Sequence, residues 1–134
     1  MPDRPVSKIL HFNDHAWTGV VPRPYKHVPG ANWSGVTRHP LLGEPEGLPF
    51  HVRYFEIQPG GYSSFECHDH QHAVMVIRGR GAVRLGDRWE DVGFGDVVYV
   101  AGQDPHQFRA ADDEPMGFIC VVDAERDRPV PLEG

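Results

Sequence analysis

Between Glu66 and His72 the chain reads Glu-Cys-His-Asp-His-Gln-His, and four of those side chains, Glu66, His68, His70 and His72, fall at every second position. Successive side chains of an extended strand point to opposite faces, so these four share one face while Cys67, Asp69 and Gln71 point away. Imidazoles and a carboxylate placed together in a low-dielectric interior are costly unless something satisfies them, and a single bound metal ion does so for several at once. On a solvent-exposed face the same residues need no explanation, because a His-rich tract is by itself a compositional hint. The meaning of the stretch depends on the elements that carry it.

At 134 residues the chain has the size of one domain built on one hydrophobic core. Its 40% hydrophobic and 24% charged residues suit a folded globular protein rather than a disordered one. The 15 Gly and 13 Pro cut it into short pieces, and no helical periodicity persists long enough to predict a helix of any length. Residues 1–49, rich in proline and turn signals, read as an extended N-terminal arm that contributes edge strands, "NWSGV" among them. From Phe50 the character changes. "FHVRYFEI", "AVMVIRG", "GAVRLG", "DVVYV", "HQFRA" and "GFICVV" are short, rich in β-branched or aromatic residues, and bounded by Gly, Pro or Asp. The prediction is an all-β barrel or sandwich over residues 50–123. A two-residue hairpin is expected at Gly86-Asp87, with further turns at Pro59 to Gly61 and Gly79 to Gly81. Residues 124–134, charged and proline-rich, read as a surface extension.

The net charge is −6 with histidines neutral, and Lys and Arg are scattered, so the basic footprint that holds a phosphate backbone is missing and nucleic acid is not an expected partner. No apolar run approaches the ~20 residues of a membrane span, and the start has no signal-peptide pattern, which predicts a cytoplasmic protein without membrane contact. Cys67 and Cys120 are too few for a disulfide framework and read as small, partly buried hydrophobes.

Two segments, "PGGYSSFECHDHQHAVMVIRGRG" and "GFGDVVYVAGQDPHQF", resemble the paired motifs of the cupin superfamily. There a glycine leads through His-x-His to a Glu and a second Gly, and a later Gly-Asp leads through apolar residues and Pro-x-Gly to a His. The resemblance spans about residues 50–123 and implies a double-stranded β-helix, or jelly roll, with the site inside the barrel. Ala101 stands where the superfamily usually has Pro, which affects a turn. Anchored on Gly79, the usual Glu position falls on His72, the two His positions on His68 and Glu66, and the second-motif histidine on His106. A carboxylate and an imidazole would thus have exchanged strands, leaving His70 as an extra ligand or a gate. A rival register puts the His-x-His on His68 and His70, with His106 and His72 completing an all-histidine set. Glu66 is then a carboxylate that orients an imidazole, or the general base.

The resemblance implies one divalent transition metal per chain, with Fe(II) favoured and Mn, Ni, Cu or Zn compatible with imidazole ligands. Its leading functional expectation is a small-molecule dioxygenase whose substrate chelates the ion through neighbouring oxygens or a thiolate. Two others stand beside it: a non-catalytic module that binds or senses a small molecule or metal, and a redox-neutral isomerase of a sugar or keto acid. Tyr54, Phe65, Val74, Met75, Phe94, Tyr99, Phe108 and Phe118 are the expected apolar lining. Arg53, Arg78 and Gln107 are polar-contact candidates that read more simply as exposed strand residues. His11, His15, His27, His39 and His51 read as surface or capping residues. A homodimer through sheet edges and the arm is expected, because jelly-roll edges must be paired or covered.

Overall fold

The computed structural model describes residues 5–26 and 30–133. His27 lies outside them. A small hairpin, β1 (Phe12–Asn13) and β2 (Ala16–Trp17), is followed by β3 (Arg23–Pro24) and β4 (Ser34–Leu42). The barrel strands are β5 (Phe50–Tyr62), β6 (Glu66–Cys67), β7 (His72–Arg78), β8 (Arg80–Leu85), β9 (Arg88–Gly93), β10 (Val97–Val100), β11 (His106–Ala110) and β12 (Met116–Asp123), with β13 (Val130–Pro131) in the tail. A single 3-10 turn at Glu44–Glu46 is the helical content of the described residues.

All strand pairs are antiparallel, and the main sheet runs β10-β7-β12-β5-β11-β6-β13, with β4 on β5, β3 on β4, and β8 and β9 continuing from β11. This curled sheet is the jelly-roll barrel. It closes because β5 is long enough to serve both halves: Phe50 to Ile57 pairs with β12, whereas Tyr62 pairs with Arg109 of β11. The bend falls at Pro59-Gly60-Gly61, where Gly60 has φ 72°, a left-handed conformation that side chains with a Cβ avoid. The predicted turn there is therefore a kink inside a continuous strand. Gly79 forms the sharp corner between β7 and β8 at φ 64°, and a Cβ on it would stand 1.9 Å from the Pro115 carbonyl oxygen. The Gly86-Asp87 hairpin forms as expected, with Leu85 opposite Arg88.

Strand alternation sorts the side chains. Val74, Cys120 and Arg53 lie in one cross-strand row, and Val76, Phe118 and Phe55 in the next. Phe118 stacks on Phe108 at 4.5 Å and on Phe55 at 5.6 Å, forming an aromatic floor. Truncating a buried Phe such as Phe118 to Ala costs ~3–5 kcal/mol. Of the expected lining, Val74, Phe108 and Phe118 are in the core. Met75, Phe94 and Tyr99 occupy outward positions and are exposed. Tyr54 is fully buried, but beneath Trp17 and His39 rather than in the barrel core, with its hydroxyl donated to Glu56. Phe65 is half-buried under the Arg84 guanidinium.

The arm is more structural than its composition suggests. β4 pairs with β5 over most of its length and belongs to the barrel sheet, and the β1–β2 hairpin packs Trp17 on Tyr54 of its own chain. His39, read as a surface residue, is buried by that packing, and its Nδ1 has no hydrogen-bond partner. The tail is tied to the barrel: β13 pairs with β6, so Val130 lies opposite Cys67 and Pro131 opposite Glu66. No helix of the described residues is long and apolar enough to cross a membrane.

Candidate metal centre and its cavity

The Glu66 to His72 stretch is not one continuous strand. β6 ends at Cys67, residues 68–71 form a bend, and His72 opens β7. Alternation still governs exposure, since Asp69 and Gln71 face solvent while Glu66 and His68 are buried. The bend carries His68 inward, β7 supplies His72, and β11 starts at His106, directly opposite Glu66 in the sheet register. One ligand atom from each of these three histidines lies within 4.8 Å of the other two.

Their tautomers follow from what their outer nitrogens touch. His68 Nδ1 is 2.7 Å from the His70 carbonyl and His106 Nδ1 is 2.9 Å from the Asp104 carbonyl. A carbonyl oxygen can only accept, so both Nδ1 atoms carry the proton and both Nε2 lone pairs are bare while the rings are neutral. Neutrality is favoured: burial, then the neighbouring His106 and His70, lowers His68 to about 4, and burial lowers His106 and His72 as well. The His68 and His106 Nε2 atoms nevertheless face each other at 3.2 Å, a contact of two acceptors that cannot be a hydrogen bond. His72 Nε2 closes on His68 Nε2 at 2.9 Å, and its Nδ1 contacts Cys120 Sγ at 3.0 Å. A cation among three convergent imidazole nitrogens removes the conflict, and their outer partners already hold the rings in place. The residues fit a divalent ion.

Glu66 and His70, the other two candidates, lie outside this group, and each has an evident reason. Glu66 Oε2 forms an ion pair with Lys26 and accepts a 2.5 Å hydrogen bond from Ser64 Oγ, which in turn accepts from the Tyr25 hydroxyl at 3.2 Å. Burial, and then the Glu66 charge, raises the Tyr25 phenol well above its usual range, so it stays a neutral donor. His70 stacks on His68 with ring centroids 3.6 Å apart, and its Nδ1 donates to Asp127 at 2.8 Å. The same carboxylate accepts from the backbone N–H groups of Asp69 and His70, which hold it well below the usual carboxylate range. A tail residue thereby pins the bend that presents His68.

The centre opens into a cavity of about 410 Å³, a size that suits a small-molecule ligand. Glu66, His70, His72 and His106 line it together with Arg38, Arg53, Cys120 and Arg126. The sequence reading missed Cys120, Lys26, Tyr25, Ser64, Arg38 and Arg126. It also favoured a solvent-facing Arg53, which is half-buried with its guanidinium 4.8 Å over the Phe55 ring. A signal for two of these existed: Arg53 alternates in phase with Phe55 and Ile57, and Cys120 with Phe118 and Val122. Arg78 instead pairs with Glu56 at 2.5 Å, and Gln107 donates to the Ser63 carbonyl.

A jelly-roll barrel with convergent histidines at its mouth matches one known family. The Cupin domain family model covers residues 53–122, and the chain belongs to that family. Among curated proteins it is 43% identical over 117 residues to 1-methylthio-D-xylulose 5-phosphate methylsulfurylase of Rhodospirillum rubrum, covering 87% of this chain and 74% of that protein. It is 33% identical over 86 residues to a probable (S)-ureidoglycine aminohydrolase of Oryza sativa subsp. japonica, of which it spans 28%. Among solved structures, a cupin-2 domain protein from Rhodospirillum rubrum superposes with a TM-score of 0.81 at 40% identity, over 97% of this chain and 85% of the other.

Proposed function

We propose that this cupin is a metal-dependent enzyme that moves protons on a small hydroxyketone-type substrate without consuming dioxygen. The observation that carries this reading is Glu66, a carboxylate 5% exposed, which lines the same cavity as the histidines yet stands apart from their ligand group. A carboxylate so placed is a base beside a metal rather than a ligand of it. A divalent ion on His68, His72 and His106 would supply Lewis acidity to a substrate carbonyl oxygen. Glu66 then accepts a proton from the adjacent carbon, while Lys26 and Ser64 hold the carboxylate in place. Phe55, Phe108 and Phe118 give the cavity an apolar part and limit the water that competes for the proton. The name of the Rhodospirillum rubrum relative, an enzyme of a methylthio-substituted ketose phosphate, supports this class of substrate.

The test is exchange of deuterium from D₂O into the carbon next to the ketone, followed by NMR under anaerobic conditions. The first compounds to try are 1-methylthio-D-xylulose 5-phosphate and its unsubstituted ketose. Exchange that needs the metal and disappears in Glu66→Gln is the expected result. A dioxygenase remains a second reading, because a ligand group of three histidines without a carboxylate also suits Fe(II) and dioxygen. Oxygen uptake with substrate, and no anaerobic exchange, would reverse the preference.

A further inference from the structure

The cavity carries an imbalance of charge that no carboxylate among the described residues corrects. Lys26, Arg38, Arg53 and Arg126 line the cavity with Glu66 as the lone carboxylate among the described residues there, and Lys26 already takes Glu66. Arg38, Arg53 and Arg126 form no ion pair with any carboxylate among the described residues. The Arg53 Nη2 donates to Cys120 Sγ at 3.4 Å, but its Nε is buried without a partner. Arg126 anchors one nitrogen on the Asp123 carbonyl and His51, which leaves the rest of its fork uncommitted.

Three guanidiniums facing one cavity repel each other. Burial and then the Arg53 charge hold both Arg38 and Arg126 below the usual arginine range. A chain of net charge −6 with 19 acidic residues places, among the described residues, Glu66 alone in this cavity, and Lys26 already pairs with it. The missing negative charge must arrive with a ligand. A monocarboxylate would match one guanidinium fork and leave two uncompensated, whereas a phosphate monoester carries about two charges at neutral pH and three oxygens for several forks.

We propose that Arg38, Arg53 and Arg126 form a binding site for the phosphate group of the substrate, in the same cavity as Glu66 and the histidines. The contacts His72 Nδ1 to Cys120 Sγ and Cys120 Sγ to Arg53 Nη2 link this site to the metal end, so a short-chain phosphorylated ketose can reach both. The site deepens the proposed function and rests on it for the chemistry at the other end, but phosphate binding can be measured without any metal. Arg126 comes from the tail and Arg38 from β4, so chain segments on either side of the matched cupin region complete the site.

The test is calorimetric titration of inorganic phosphate, with acetate as the monocarboxylate control, into full-length protein stripped of metal by chelator. Phosphate should bind in the wild type and in His106→Ala, and acetate should not. Arg53→Gln and Arg38→Gln should each weaken phosphate binding by at least ~10-fold, the scale of one charge-assisted contact. Arg80→Gln, whose wild-type side chain pairs with Asp113 on the surface, should leave it unchanged. If Arg53→Gln fails to fold, Arg38→Gln decides alone, since Arg38 makes no ion pair among the described residues whose loss would unfold the chain. Phosphate binding that requires metal, or that survives both arginine replacements, would overturn the proposal, as would equal binding of acetate. Metal content measured on the same preparations before stripping separates this outcome from failure of the metal reading.

Discussion

The histidine and arginine groups that line the cavity hold their polar atoms by opposite means. On the histidine side each outer nitrogen has a partner: the His70 carbonyl for His68, the Asp104 carbonyl for His106 and the Cys120 sulfur for His72. On the arginine side, among the described residues, one buried guanidinium nitrogen has no partner and three cations share no carboxylate. The first arrangement is rigid before any ligand arrives and leaves lone pairs converging on a point. The second is incomplete until an anion arrives. A site that must hold an ion firmly and release an organic product would divide its walls in this way.

The most severe way to break the histidine side is to remove a ligand. His106→Ala should abolish metal retention, lowering bound metal from near-stoichiometric to background by mass spectrometry of untagged protein. Replacement of Glu66 should separate chemistry from metal binding. Glu66→Gln is expected to keep the metal and to lower turnover ~100-fold or more, the usual contribution of a positioned base. A parallel loss of metal would return Glu66 to the ligand set.

A smaller effect is expected where the tail meets the bend. Asp127→Asn removes the charge that accepts from Asp69 N, His70 N and His70 Nδ1. Because outer partners typically tune metal affinity by 10–100-fold, the variant should bind metal ~10-fold more weakly while keeping its secondary structure, as read by competitive chelator titration. The mildest probe is pH. His68 is lowered to about 4, and His72 and His106 are lowered too, so below the normal imidazole range the unfolded chain takes up protons that the folded chain refuses. Stability therefore rises with pH through the window from about 4 to 6.5 and is lost as pH falls. Metal-free protein should melt ~5 °C lower at pH 5 than at pH 7, and a flat profile would argue that these rings are not held neutral.

Much of the histidine side was legible because it is local. The spacing of Glu66, His68, His70 and His72, with His106 in the second motif, marks the region directly. Spacing could not assign the ligands, because the bend at residues 68–71 interrupts the strand whose alternation the reading assumed. Nor could it show that Glu66 is occupied by Lys26, a residue 40 positions earlier. His70 lies in that bend, and its partner Asp127 lies 57 residues away in a segment read as a surface extension.

The sequence by itself determined the all-β fold, the Gly86-Asp87 hairpin, the family and the short stretches from which the candidate ligands come. These rest on period-two alternation, turn residues and motif spacing, all written within short stretches of chain. The tertiary structure alone decided that β5 kinks at Gly60 and serves both halves of the sheet, that the arm and tail complete the cavity, and that three arginines from β4, β5 and the tail face one space. The physical reason is that closing a barrel brings together residues whose separation along the chain carries no periodic signal. Their charges become related when the sheet curls.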